Sequence, residues 1–186
     1  GWKAGMTHVL LKDNNPKSTS AGQEVRVPVT VVEVPEMMVL GVRGYKMTPY
    51  GKQTAGEAWL DSSSLIDAFP DISRRIPEPK EHDSKKHLDS LSEEDLCEVR
   101  LIVATQPSKV SGSPSKTPEV MELGLTGGGI SAQLEWAGQQ LGQEIGIGNV
   151  YEEGTFVDVV GITKGFGFQG VIRRFGGKLL SHKNSK

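Results

Sequence analysis

Short apolar runs rich in Val and Thr, separated by clusters of turn-forming polar residues, recur through the first sixty positions, and that pattern predicts an all-β unit. Strands are expected at 7–12, 25–34 and 38–45, with a weaker one at 57–60. Pro28 lies inside the second and has no N–H for a ladder bond, so it points to a sheet edge or a bulge. Gly41 and Gly44 permit a sharp bend in the third, and Asp13-Asn14-Asn15-Pro16 is a turn cluster. Beyond position 60 the periodicity changes. A short helix is expected at 62–69, irregular chain at 70–79 and a charged connection at 80–86. Ser90 with Glu93, or Ser92 with Asp95, has the spacing of a capping box. An apolar strand follows at 99–104, a loop rich in Ser, Pro and Lys at 106–117, and a strand at 119–123. Gly127-Gly128-Gly129 leads into Ile130, Leu134, Ala137 and Leu141, which recur at helical spacing. A last alternating strand is expected at 155–163, after Gly148. With no internal repeat, the simplest organisation is a mainly β, barrel-like body interrupted by an α+β insertion at 61–148.

The placement of charge adds more than composition does. The 186 residues carry 21 basic and 23 acidic side chains. Lys164, Arg173, Arg174, Lys178, Lys183 and Lys186 all fall in 161–186, which holds no acid, so this part is +6 and the rest −8. An acidic body with a basic tail implies a polyanionic partner for the tail. Cys97 is the only cysteine. It excludes an internal disulfide framework, suits a reducing cytosolic setting and is expected to be a small buried hydrophobe. No apolar run approaches the length that spans a bilayer, Gly1-Trp2-Lys3 does not open a signal peptide, and no membrane partner is expected. The chain starts without Met and ends on a polar stretch, which leads us to expect a fragment of a longer protein.

Candidate chemistry concentrates after the last strand. Gly165-Phe166-Gly167-Phe168-Gln169-Gly170 matches G-x-G-x-x-G literally. A dinucleotide site needs a following helix and an acid about 20 residues later. Here Arg173-Arg174 and Gly176-Gly177 make a poor helix, and no acid follows. The same residues suit a polyanion: Lys164, Arg173 and Arg174 neutralise phosphates, Phe166 and Phe168 stack on bases, and Gln169 reaches a base edge or a 2′-hydroxyl. Core burial of both phenylalanines is the alternative. Gly124-Leu125-Thr126-Gly127-Gly128-Gly129 lacks the Lys-Ser/Thr of a nucleotide-binding loop and reads as a helix lead-in. His82 and His87, near Asp83 and Asp89, match no metal signature, and Glu93-Glu94-Asp95 reads as charge at a helix start. No catalytic residue, metal ligand or cofactor is assigned.

The segment Val157-Asp158-Val159, Gly161-Ile162-Thr163-Lys164-Gly165, Gly167-Phe168-Gln169-Gly170 and Arg173-Arg174 resembles large-subunit ribosomal protein three, the universal "L three" family. Lys3-Ala4-Gly5-Met6-Thr7-His8 is similar to that family's N-terminal K-x-G-M-T element. Val27-Pro28-Val29-Thr30-Val31-Val32-Glu33, Gly41-Val42-Arg43-Gly44-Tyr45 and Gln133-Leu134-Glu135-Trp136-Ala137 resemble its archaeal and eukaryotic branch. The resemblance implies a translation-protein-type β-barrel, of the kind seen in reductases, isomerases and elongation factors, with an α+β insertion. On that pattern 1–60 is the first part of the barrel, 61–148 the insertion, 149–170 a return strand and 171–186 the start of a basic rRNA-binding extension. It also implies binding to large-subunit rRNA, contact with neighbouring ribosomal proteins, a role in subunit assembly, a cytoplasmic location on the ribosome, and no reaction. The implied phosphate contacts are Lys164, Arg173, Arg174, Lys178, Lys183 and Lys186, with Gly165, Gly167 and Gly170 allowing close backbone approach. Phe166, Phe168, Gln169 and His182 are further contacts, and Lys3 and Thr7 carry over from the N-terminal motif. Two departures stand out. Phe166 occupies a position that is usually basic, and the family's N-terminal arm and C-terminal part are missing, which predicts an incomplete barrel. A nucleotide- or flavin-binding enzyme domain with a reductase-like barrel is the alternative.

Overall fold

The computed structural model describes residues 1–61, 64–66, 69–77, 84–89, 91 and 96–183. Ser90, Ser92, Glu93, Glu94 and Asp95 of the expected helix start, His82 and Asp83, and Lys186 lie outside the described residues. Two units are distinguished, Gly1–Tyr151 and Glu152–Lys186.

In the first unit, β1 (Trp2–Lys12) and β2 (Glu24–Glu33) form an antiparallel two-stranded ribbon. Its register runs from Trp2↔Glu33 to Lys12↔Glu24, with a bulge between Lys3 and Gly5. Pro28 sits opposite His8 in a strand that keeps an unpaired edge, which tolerates the missing N–H. The connecting turn is tied by Asp13, whose N–H donates to the Gln23 carbonyl at 3.0 Å and whose carboxylate accepts from Ser20 Oγ at 2.6 Å.

The second sheet has the order β4–β3–β5–β6, built from β3 (Met37–Thr48), β4 (Gly51–Trp59), β5 (Glu98–Ala104) and β6 (Val120–Gly124). The short β7 (Glu144–Ile145) pairs with the start of β3, on the edge that β4 takes further along. The sheet thus draws strands from both sides of position 60. Residues 101–104 are buried on both faces, which explains their unbroken apolar run. On one face Val39, Val42, Val99, Leu101 and Val103 pack with Leu91, Leu96 and Ile145. That face is covered by Leu134 and Ala137 of the helix Ile130–Gln140, called α2 here because α1 (Ser84–Asp89) precedes it. On the other face Met38, Leu40, Ile102 and Ala104 pack with Leu65, Phe69 and Ile72, the last from the 3-10 helix Pro70–Arg74. A bulge between Val39 and Gly41 reverses the parity of β3, so that Leu40 faces one core and Val42 the other. A Cβ on Gly41 would lie 2.8 Å from the Ala58 carbonyl oxygen, so the β3–β4 approach requires glycine there.

Beyond the second core the same sheet face turns ionic. Arg43 bridges Glu57, at 2.6 Å, and Glu122, which also accepts from Tyr45 Oη at 2.8 Å and Arg100 at 3.2 Å. Arg100 in turn donates from Nε to Glu98 at 2.8 Å, and Lys52 pairs with the same carboxylate. The hydrogen bond from Arg100, then that from Lys52, hold Glu98 down at about 2. At the β7 end, Glu144 is likewise lowered to about 2, first by Lys109 and then by Gln106, each donating at 2.7 Å.

In the second unit the regular element among the described residues is α3 (Val171–Phe175), closed by Gly176 at φ 66°. The strand predicted at 155–163 is absent: the segment has no ladder partner, and Phe156 and Ile162 are fully exposed. Alternation prepares two faces but supplies no neighbouring strand. Cys97 is exposed rather than buried, because it precedes the apolar run of β5; its N–H donates to the Tyr45 carbonyl at 2.8 Å. Overall the chain is mainly β, with two sheets and few helices. No barrel closes among the described residues.

Leu40→Ala is expected to destabilise the chain by about 2–5 kcal/mol in urea unfolding, whereas Phe156→Ala should stay within about 0.5 kcal/mol. A depressed carboxylate contributes stability above its unfolded pKa and loses it as pH falls through the folded one. Stability should therefore decline from pH about 4.5 toward about 2, and Glu98→Gln should flatten that decline in urea titrations across the range.

Candidate nucleic-acid interface

The body's arginines are largely committed to its own carboxylates. Arg43 and Arg100 hold the acids of the sheet face, Arg74 bonds Asp71 at 3.2 Å, and Arg75 bonds Glu119 at 3.2 Å. In the second unit the opposite holds. Lys164, Arg173, Arg174, Lys178 and Lys183 are exposed and make no ion pair among the described residues. No acid follows Asp158, so their charge is uncompensated along the chain.

Local contacts organise this segment. Gln169 Nε2 donates to the Phe166 carbonyl at 2.7 Å, closing a tight turn around Gly167, whose φ of 72° favours glycine. Gly170 then caps α3, and the Arg174 N–H returns to its carbonyl at 3.0 Å. The turn and the helix bring Arg173 over the Phe166 ring, 5.4 Å from its centroid, while Arg174 lies 5.9 Å from that of Phe175. Such cation–π contacts hold a guanidinium in place without neutralising it. Phe166 and Phe168 are exposed, so neither is a core side chain. No protein atom would crowd a Cβ at Gly165 or Gly170, so internal packing does not explain those two glycines.

The helix after G-x-G-x-x-G does form, contrary to its composition, but it is only five residues long. No ladder-paired strand precedes the motif. The strand–turn–helix frame of a dinucleotide site is therefore missing. Gly127 and Gly128 have positive φ, and Gln133 Nε2 donates to the Gly127 carbonyl at 2.9 Å, so that glycine run is a lead-in to α2. Among the described residues no group of three or more His, Cys, Asp or Glu is placed to hold a metal ion.

The remaining expected residues lie apart. His182 is exposed in the second unit. Lys3 and Thr7 lie exposed on β1 of the first unit. The register puts Thr7 on the ribbon face of Val25, Val27 and Val29, and puts His8 and Lys12 on the other face with Arg26. Arg26 Nη2 donates to His8 Nδ1 at 3.0 Å. His8 and Arg26 add a basic, hydrogen-bonding pair that motif spacing did not single out. The signal was available in the opposite parity of positions 7 and 8 and in the pairing of two alternating strands.

The whole chain, residues 1–186, matches the family described as Ribosomal protein L3. Over its full length it is 43% identical to the large ribosomal subunit protein uL3 of Archaeoglobus fulgidus, covering 54% of that protein. It is 41% identical to the uL3 of Picrophilus torridus, again over 54% of that chain, and 41% identical to that of Methanoregula boonei, over 55%. The chain thus spans about half the length of the curated archaeal relatives it matches. A match along the entire sequence, including both the β1 element and the glycine-rich basic segment, means that the chain belongs to the ribosomal protein L3 family.

Proposed function

We propose that this chain is part of a structural constituent of the large ribosomal subunit, which binds large-subunit rRNA, supports subunit assembly and translation, and works on the cytoplasmic ribosome without catalysing a reaction. The observation that carries this reading is the acid-free segment 164–183, whose five described cations have no carboxylate partner among the described residues. An rRNA backbone supplies the missing anions, and release of its counterions drives the association. Exposed Phe166 and Phe168 offer stacking surfaces to unpaired bases. Gly165 and Gly170 leave room for a phosphate or ribose against the backbone. With one amide N–H engaged by the Phe166 carbonyl, Gln169 offers its other N–H and its carboxamide oxygen to a base or a 2′-hydroxyl. Arg173 over the Phe166 ring puts a cation beside the position where the family usually carries one of its own. Lys178, His182 and Lys183 continue the same surface chemistry, with Lys186 in sequence beyond them. Lys3 and Thr7 are contacts of the ribbon.

The finer architecture belongs to the same proposal. The first sixty residues contribute to a translation-protein-type barrel, 61–148 form its α+β insertion, 149–170 include a return strand, and 171–186 begin the rRNA-binding extension. The exposed alternation of 155–163 supports a strand that becomes ordered when partners are present, because unpaired apolar strands seek them. Docking against neighbouring ribosomal proteins fits this setting.

Binding of the chain to a transcript of the 3′ part of archaeal large-subunit rRNA should weaken steeply with salt. Replacing Arg173 and Arg174 together by Ala should lower the slope of log K against log salt by about 2. Phe168→Ala should weaken binding by about 1–3 kcal/mol while leaving that slope unchanged. Fluorescence anisotropy across a salt series reads both. Salt-independent RNA binding, or stoichiometric binding of a dinucleotide instead, would overturn the proposal.

A further inference from the structure

The register of the β1–β2 ribbon sorts its side chains by charge. The pairs Met6↔Thr30, His8↔Pro28, Leu10↔Arg26 and Lys12↔Glu24 share one face. The bulge between Lys3 and Gly5 shifts the parity of β1, so Lys3, opposite Val32, joins that face. The other face is mostly valine, with Val9, Val25, Val27, Val29 and Val31 around Leu11. Burial along β2 follows the same division: Val25, Val27 and Val29 are half-buried, while Glu24, Arg26, Pro28 and Thr30 are exposed. Every lysine and arginine of the two strands therefore lies on the exposed face.

Arg26 differs from the other arginines of the first unit. Arg43, Arg74, Arg75 and Arg100 each meet a carboxylate. Arg26 meets none among the described residues, and its Nη2 donates instead to His8 Nδ1 at 3.0 Å. A guanidinium can only donate, so His8 accepts on a bare nitrogen and keeps its proton on Nε2 as a further donor. The bond orients the cation without neutralising it. Lys3 and Lys12 are exposed and likewise have no carboxylate partner among the described residues. Glu24 is the one acid on this face, at the turn end, so three cations stand against it. Strands rise about 3.3 Å per residue, which spreads Lys3 and Lys12 roughly 30 Å apart with His8 and Arg26 between them. No Phe, Tyr or Trp lies on this face, so unpaired bases find no stacking surface there, unlike at Phe166 and Phe168. A spaced row of cations on a narrow ribbon suits the phosphates and 2′-hydroxyls along the wide, shallow minor groove of an A-form helix.

We propose, resting on the RNA-binding reading above for the kind of ligand, that the cationic face of the ribbon docks on the backbone of helical RNA, with Arg26 and His8 at its centre and Lys3 and Lys12 toward its ends. It differs in chemistry from the aromatic, glycine-rich segment 164–183: the ribbon takes paired RNA, and the segment takes unpaired bases.

The test titrates the full chain, by fluorescence anisotropy across a salt series, with a short RNA duplex and with an oligouridylate of equal length. Replacing Lys12 and Arg26 together by Gln should lower the duplex slope of log K against log salt by about 2 and leave oligouridylate binding nearly unchanged. Lys116→Gln, at an exposed lysine of the loop 106–117, should leave both slopes as they are. Glu24→Gln should tighten the duplex several-fold, a gain that a misfolded chain cannot give. A duplex slope unmoved by the double substitution, an equal fall with Lys116→Gln, an equal loss on oligouridylate, or no gain with Glu24→Gln would overturn the proposal while leaving the reading of 164–183 standing. Failure of both RNAs to bind would overturn both. A polyglutamate peptide that binds as tightly as the duplex and is lost in the same double variant would assign the face to an acidic protein instead.

Discussion

Strand β3 is hydrogen-bonded along both edges and packed on both faces, and the second sheet cannot be assembled without it. Its partners come from three separate parts of the sequence: β4 directly after it, β5 some fifty residues on, and β7 further still. The bulge at Val39–Gly41 reverses which parity faces which core, so Leu40 meets one hydrophobic cluster while Val39 and Val42 meet the other. Gly41 is the point at which this arrangement has no slack, because the Ala58 carbonyl occupies the space of a side chain. Past Val42 the strand exchanges apolar contacts on one face for the Arg43, Tyr45, Glu122 and Arg100 network. A partly exposed ionic face contributes modestly to stability, but it ties four strands together, since Arg43 of β3 bonds carboxylates on β4 and β6 and Arg100 of β5 bonds one on β6.

That network also leaves the arginines of the second sheet with little charge to offer a polyanion. A guanidinium bonded to two carboxylates has little potential left to offer a phosphate. Along 164–183 the chain does the reverse and holds its cations with aromatic rings and a glycine-capped helix turn, contacts that orient charge without cancelling it. Both parts use arginine, and they differ in what neutralises it.

β3, β5 and β6 of the second sheet were legible as short apolar runs, most plainly residues 101–104, which are buried on both faces. β4 was read only at its end, since Lys52, Gln53 and Thr54 conceal a strand whose place is set by pairing with β3 rather than by its own pattern. The sheet's continuity across position 60 was not legible at all, because the registers that join β3 to β5 and β7 are long-range facts. Two readings failed for a shared reason. The alternation at 155–163 and the apolarity of Cys97 describe what those residues could bury, and neither supplies a neighbour. At the candidate site the basic charge was visible directly, whereas the Arg173–Phe166 contact required the turn at Gly167 to bring the two together.

Charge is sorted along this chain with little mixing. From 117 to 163 there are seven acids and no base, and from 164 onward six bases and no acid. If the two stretches served solubility alone, interspersed signs would serve as well and would avoid local self-repulsion. Sorting makes sense when each stretch must attract one kind of partner and repel the other. In the first stretch Glu119, Glu122 and Glu144 are met by Arg75, Arg43, Arg100 and Lys109, whereas the cations of the second meet no carboxylate among the described residues, so, of the two, the uncompensated charge lies with 164–183.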